Sequence, residues 1–572
     1  MDNRIFNLYD NLKVKRDEYV PLWESISRTT ATKLGLKACL RNSVYSSQSK
    51  NKDYLCDDPT APNAVSATSN FLNGMMWGLG DDFIKVLKPD ELKDDNSIND
   101  FYDGLYQKVG DIMFHRDSGF NNAKYEYFND QASYGTSGIG LFANGEYPKK
   151  STCPYIFKEY GVDNLIIDEG NNGRVEYIFL THQWTSNQVV NNLALDSKSE
   201  VRMIDKKKFE KLPEEVKADY ERGEFRDKFT VVHGILPSEE FDLSVKLGKK
   251  SKRYRGVWFL EDRKEIITEE NYSYMPIIVC RAIKERGEVY GRSQGGILQS
   301  TIISLNYMTE LGIKNAEVRN DPPTMSTGDI KNGILDKSAG ANNVVNPKNL
   351  ASGRPIEPMY EAGDISPMVS FLIPYYREAI MNAYGVDKML DFNSSGSMTA
   401  RETIERGIIR GQTLAVPIMQ QYREHQEPLV YTLLNMMYDD NALGEIPEQV
   451  KVLRESGKDW FKLSPSDRIK RTIGTQKAEA LLQFTNYVAM MAQLNPSVLQ
   501  AIDYYSLIKE FHSEAGLPAN LIKDSTEYEL AIKKQAEAIQ QQMAMQQGMA
   551  EVAAGNKIAD TQKKQAEAKK YG

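Results

Sequence analysis

Between Met275 and Met325 the chain reads MPIIVCRAIKERGEVYGRSQGGILQSTIISLNYMTELGIKNAEVRNDPPTM. The β-branched run Ile277-Ile278-Val279 predicts a buried strand, because both of its faces are apolar. An Arg/Glu-rich turn and the corner Tyr290-Gly291-Arg292-Ser293 follow. Ser293 stands where it can cap a long helix over 294–319, and Pro322-Pro323 ends that helix. The next stretch, 321–365, is rich in Gly, Asn and Pro and too long for a plain connection. It predicts a small β-rich module or a binding loop. A second helix, 366–385, carries Pro374 and returns the chain. Two helices flanking a polar module form a hairpin, and its outer face can be buried only by neighbouring copies.

Size and charge narrow the function. With 572 residues the chain can hold several cores. Its 71 basic and 79 acidic side chains give a net charge of −8, which argues against a free-standing DNA-binding protein. No apolar run approaches the ~18 residues of a membrane helix. The opening MDNRIFNLYDNLKVKRDEYV lacks the apolar centre of a signal peptide, so a cytosolic protein is expected. Cys39, Cys56, Cys153 and Cys280 lie far apart and form no C-x-x-C pair. Buried free thiols are expected rather than disulfides or zinc.

Along the chain, 3–29 reads as one helix kinked at Pro21, with Trp23 and Ile26 on one face. A polar loop over 41–63 leads to a small-residue helix and a short extended segment. Residues 98–133 read as helix. The runs CPYIFKEY, VEYIFL, FTVVHGIL, GVWFLED, KEIITEE and PIIVCRA read as strands, with a helical insert SNQVVNNL after Trp184. The fold class is therefore α+β. After the hairpin comes a loop, 386–397, and then a long helix from Met398 to about Tyr438. Thr399 and Glu402 have capping-box spacing there. Further helices are expected over 446–525. From Glu529 to Lys570 Ala, Gln, Lys and Glu dominate, giving a weak heptad or an unstructured tail.

Three stretches resemble catalytic motifs. Gly291-Arg292-Ser293-Gln294-Gly295 fits the G-x-S-x-G nucleophile elbow, with His425 and His512 downstream. An elbow needs a strand running directly into the serine, whereas KERGEVY intervenes here. A helix cap is expected, and a serine hydrolase with nucleophile Ser293 is the alternative. His115-Arg116-Asp117 with Asn122 has the spacing of a kinase catalytic loop, but the partner motifs of a kinase are missing. Gly135–Gly140 lacks the Lys-Ser/Thr of a phosphate loop and reads as a tight helix-to-strand turn. The five histidines show no metal-ligand spacing. No catalytic residue, metal or cofactor is expected.

Two blocks carry a family resemblance. Pro276, Arg281, Gly287, Glu288, Tyr290, Gly291, Arg292, Ser293, Leu305, Asn306, Ala316, Pro322 and Pro323 form the first. Met398-Thr399-Ala400-Arg401-Glu402-Thr403, then Arg406, Gly411, Leu414, Pro417, Glu424, Glu427, Pro428 and Leu429, form the second. Ser118, Phe120, Asp130, Gly135 and Thr136 add a third, shorter match. In this order they resemble the head-to-tail connector (portal) proteins of short-tailed, podovirus-type double-stranded DNA phages. The aromatic pair usual after the small-residue helix is replaced here by Asp81-Asp82-Phe83.

The resemblance implies a structural protein of the virion, assembled in the host bacterial cytoplasm, with no catalysis of its own. It implies a homododecamer, a ring of twelve subunits through which double-stranded DNA is packaged and ejected. The subunit would comprise a wing (1–290), stem helix 1 (291–319), a clip (320–365) and stem helix 2 (366–385). A tunnel loop (386–397), an inner wing helix (398–445) and a crown (446–525) would follow. Residues 526–572 would be a helical barrel or a disordered tail. The implied partners are the major capsid and scaffolding proteins, the terminase large subunit and the tail adaptor. Lys388 and Asp391 in the tunnel loop, and Lys331, Lys337 and Lys348 in the clip, are the groups expected near DNA. An acidic balance suits such a channel, because a strongly basic lining would hold phosphates by releasing counterions.

Overall fold

The computed structural model describes residues 2–30, 58–78, 83–92, 96–145, 147–148, 150–195, 204–223, 227–238, 252–327, 336–345, 356–360, 363–386, 414–466 and 468–470. Beyond these it describes 484–485, 487–488, 490–491, 506–508 and 561–566. The chain divides into two compact units, 1–473 and 474–572. In the second, the described residues are helical.

The first unit opens on α1 (Asp2–Asp17) and α2 (Val20–Thr30) rather than on one kinked helix. Pro21 stands in the first turn of α2, where its missing N–H costs nothing, so the chain breaks before it. Next come α3 (Thr60–Met76), β1 (Ile84–Leu87), α4 (Asn96–Met113) and α5 (Phe120–Tyr134). The helix predicted over 98–133 is thus split in two. His115 caps a short turn by accepting from Asp117 N–H at 3.1 Å, and Gly119 takes a φ of +74°.

Strands β2 (Thr136–Ala143), β3 (Tyr155–Tyr160) and β9 (Ile277–Arg281) form an antiparallel sheet with β2 in the centre. Strands β4 (Leu165–Glu169), β5 (Val175–Thr185), β6 (Lys228–Pro237), β7 (Tyr254–Leu260) and β8 (Ile266–Tyr272) form a five-stranded antiparallel meander. Between β5 and β6 lie α6 (Ser186–Leu193), α7 (Lys206–Glu210) and α8 (Glu214–Arg222). The two-residue period sorts the meander's side chains. Phe179, Val232, Val257 and Phe259 cluster with Ile5, Phe6, Tyr9 and Leu12 of α1. Ile178, Leu180 and Ile235 cluster with Ile277 and Val279 of β9. Each such buried side chain contributes roughly 1.5–3 kcal/mol.

The corner continues into α9 (Gln294–Ile297) and α10 (Gln299–Asn320). Then come β10 (Thr324–Thr327), β11 (Asn342–Val345) and β12 (Ile356–Pro358), a small sheet with β10 in the centre, parallel to β11 and antiparallel to β12. Helix α11 (Ser366–Tyr384) returns antiparallel to α10. Arg319 pairs with Asp364 at 2.9 Å near the far end. Midway, a Cβ on Gly312 would sit 3.5 Å from Val369.

The helix predicted over 398–438 is described from 414, so its proposed cap at Thr399 and Glu402 lies outside the described residues. Residues 414–421 are helical, and Tyr422–Gln426 widen into a π-turn before α12 (Glu427–Asp439). Pro428 explains the turn: its ring excludes the Glu424 carbonyl from an α-helical position, and Glu427 N–H reaches Tyr422 O instead. Helix α13 (Glu448–Glu455) and β13 (Lys462–Pro465) follow. β13 pairs antiparallel with β1, which the sequence did not suggest. The largest core, built on Trp77, Phe83, Phe120, Tyr127, Leu433 and Trp460, joins these late elements to α3, α4 and α5.

Candidate functional site

The corner between β9 and α9 is built on backbone contact. Gly135 ends α5 with a φ of +82°, and a Cβ there would lie 2.5 Å from Ser293 N. A Cβ on Gly291 would lie 2.5 Å from Gly135 O. Two glycines therefore let two turns touch. Gly291 N–H donates to Thr136 Oγ1 at 2.8 Å, and Ala282 N–H to Gly135 O at 2.8 Å. Tyr290 is buried against Tyr19 and Trp23, its hydroxyl donating to Leu165 O and accepting from Ile167 N–H, both at 3.2 Å. Arg292 stays half exposed and pairs with Glu288 and Glu285.

Beside the corner, the buried Arg281 joins three parts of the chain. Its guanidinium meets Glu169 of β4, Glu424 of the π-turn at 2.9 Å, and Gly173 O at 3.1 Å. Its own N–H donates to Glu424 at 2.9 Å. Lys284 adds a second cation on Glu169 at 2.6 Å.

The root of the hairpin is held by Asp58. Its backbone N–H donates to Asn306 Oδ1 of α10 at 2.9 Å, and its carboxylate accepts from Arg377 of α11 at 2.7 Å and from Thr60 N–H at 2.9 Å. Burial pushes this carboxyl up, but the hydrogen bonds from Thr60 and Arg377 outweigh it and leave it below the usual range. Asp58, Glu169 and Arg377 were not singled out from sequence. The Asp58-Pro59-Thr60 order was nonetheless a helix-start signal.

The hairpin also exposes apolar side chains. Ile303 and Tyr307 stand one turn apart on α10, with Tyr307 61% exposed. Met368, Phe371 and Tyr375 form an i, i+3, i+7 stripe on α11, with Phe371 72% exposed.

The motifs that resembled catalysis resolve into structure. Ser293 is buried, and its Oγ accepts from Gly296 N–H at 3.0 Å as the cap of α9. Both ring nitrogens of His425 lack hydrogen-bond partners, and the ring stacks on Tyr127 at 4.0 Å. The serine hydrolase reading fails on that geometry, because Ser293 is a helix cap and no imidazole among the described residues takes its proton; His512 lies outside them. Asp117 accepts from Thr152, and Gly135 is the helix-to-strand turn. Among the described residues no group of His, Cys, Asp and Glu could hold a metal ion. Cys153 and Cys280 are buried free thiols. Lys337 is exposed beside β11, its carbonyl accepting from the Tyr360 hydroxyl at 3.3 Å. Lys331, Lys348, Lys388 and Asp391 lie outside the described residues.

Residues 2–522 match the family model of the bacteriophage head to tail connecting protein. The chain belongs to that family. No curated protein matches it. The family match accounts for an arrangement rich in structural contacts: the connector is a structural phage protein, not an enzyme. It is a component of the virion and works between capsid and tail components. Among the described residues, no helix is long and apolar enough to cross a membrane.

Proposed function

We propose that this connector is a portal subunit that closes into a ring of about twelve copies around double-stranded DNA. The observation that carries the reading is the hairpin's pair of uncovered apolar faces, Ile303 and Tyr307 on α10 and Met368, Phe371 and Tyr375 on α11. The two faces differ, so contact between them is head-to-tail, and a head-to-tail contact that closes makes a ring. In this reading α10 and α11 are the stem, the β10–β12 sheet belongs to the clip, and residues 386–397 are the tunnel loop. Domain limits otherwise follow the boundaries given for wing, inner wing, crown and tail.

DNA would pass without sequence recognition, touching phosphate rather than bases. Lys337, with Lys331, Lys348, Lys388 and Asp391, supplies the proposed sparse charge near it. The clip would meet the terminase large subunit during packaging and the tail adaptor afterwards. Scaffolding and major capsid proteins would contact the wing. Assembly would take place in the bacterial cytoplasm, and the same ring would serve ejection.

Electron microscopy of the purified protein, paired with its mass in solution, tests the ring. Closed rings are expected for the wild type, and smaller species for Phe371→Glu combined with Tyr375→Glu. A double variant that still forms wild-type rings would remove the stem faces from the interface.

A further inference from the structure

The two helices of the hairpin are held in one register. Asp58 joins Asn306 to Arg377 at the root, and midway Gly312 faces Val369. Farther out, Asn315 donates to Gly363 O at 3.0 Å and Arg319 pairs with Asp364 at 2.9 Å. These ties fix which residues share a height. Tyr307 follows Asn306 directly and Tyr375 stands just before Arg377, so the two tyrosines are level. An α-helix turns roughly 100° per residue, which puts Tyr307 about 140° round α10 from Gly312 and Tyr375 about 120° round α11 from Val369. Ile303 and Phe371 lie farther from that seam, about 180° and 160° round. Each side chain therefore points away from the other helix of its own hairpin. Tyr307 is 61% exposed and Tyr375 60%, so neither edge is covered within one subunit. Glu310 and Lys314, also on the α10 edge, pair with each other at 2.6 Å and leave it without net charge.

We propose that the α10 edge is covered by the α11 edge of a second copy at the same height, so that Tyr307 packs on Tyr375 of the partner subunit. This rests on the ring reading and adds its register. Copies related by rotation alone are not displaced along the axis, whereas a displaced head-to-tail contact winds into a filament. With the hairpins running along that axis, α10 and α11 alternate in one antiparallel row, and each contact between copies repeats the register within a copy. A slip of one turn would set Tyr307 against Phe371 instead. Aromatic pairs prefer offset or edge-to-face geometry, which makes the matched tyrosines a directional contact.

The test is cysteine-pair crosslinking of the full chain with a short bis-maleimide, on samples imaged for rings. Tyr307→Cys with Tyr375→Cys should give a ladder of covalent multimers, and each single variant should match the wild-type background. A mixture of the two single variants should give dimers only. Tyr307→Cys with Phe371→Cys, one turn out of register, should crosslink several-fold less. In wild-type rings, oxidative tyrosine coupling should join Tyr307 to Tyr375, a link lost in Tyr307→Phe, so the result does not depend on the cysteine variants assembling. Rings in which the slipped pair crosslinks as well or better would overturn the register and leave the ring standing. Crosslinking of Tyr307→Cys alone would mean a symmetric contact and overturn the pairing. A ladder without closed rings would support the contact and overturn closure. Neither rings nor ladder would overturn both.

Discussion

Arg377 donates two hydrogen bonds to a single oxygen of Asp58, from Nε at 3.0 Å and from a terminal nitrogen at 2.7 Å. The Asp58 N–H meanwhile donates to Asn306. One residue just ahead of α3 therefore fixes both helices of the hairpin to the body. Its side chain is fully buried, whereas that of Arg377 is half exposed. Breaking the pair should consequently cost more than breaking a surface ion pair and less than breaking a fully buried one.

Asp58→Ala should cost about 2 kcal/mol, read by denaturant unfolding, and should raise hydrogen exchange near Asn306 and Arg377. A loss below ~0.5 kcal/mol would mean that apolar packing alone holds the root. The wild-type contribution also has a pH window. The carboxyl is depressed in the fold, so its stabilisation is complete above the unfolded value of ~3.9. It is lost as pH falls through the lower, folded value.

Glu424 is the second anchor to remove. Arg281 is 3% exposed, and Glu424→Ala would leave it with Glu169 and one carbonyl. The expected loss is about 3 kcal/mol, because an uncompensated buried charge costs more than the pair is worth. Glu424→Gln should cost less, since the Arg281 N–H keeps an acceptor. Equal losses for the two variants in thermal or denaturant unfolding would contradict this account.

What could be read from sequence followed local pattern. Alternation in Phe229–Leu236 and Gly256–Leu260 gave β6 and β7, and Tyr290 to Ser293 gave the corner. Hairpin helices were legible because Pro322-Pro323 and Gly385 punctuate them. Features with distant causes were not. Lys462–Pro465 becomes a strand only because Ile84–Leu87 lies beside it, and nothing within KLSP announces that partner. The break at His115 depends on one side chain capping its own turn, and β4 is too short to show a period. The Asp58 carboxylate finds Arg377 across more than half the chain, a pairing that no spacing rule reaches.

Two groups, the buried His425 and the half-buried Glu159, should give opposite pH responses. Burial lowers His425 to about 3, so the folded state keeps it neutral while the unfolded chain protonates near 6.5. Stability from this group is full above that value and declines as pH falls toward 3. Glu159 is raised to about 8 by burial and by the nearby Asp163 and Glu126, with Ser137 and Lys158 opposing. It stays protonated in the fold while the unfolded chain ionises, so its contribution falls as pH rises from ~4.3 toward 8. Thermal midpoints against pH should be flatter on the acid side in His425→Phe. In Glu159→Gln they should be higher near pH 8. An unchanged profile in either variant would remove that residue from the account.

The two glycines of the corner should fail together rather than separately. Gly135 holds a φ of +82°, and any Cβ there meets the backbone of Arg292 and Ser293. A Cβ on Gly291 meets Gly135 O and the Arg281 backbone. Backbone cannot yield as a flexible side chain does, so each alanine variant should cost at least ~2 kcal/mol. Either change forces the same two turns apart, and the second methyl then enters space already opened. The double variant should therefore lose well under the sum of the singles, with a coupling of about 1 kcal/mol or more in a double-mutant cycle. Full additivity would mean that the turns relax independently, and that the tight approach at Gly135 and Gly291 is not what positions Ser293 at the head of the hairpin.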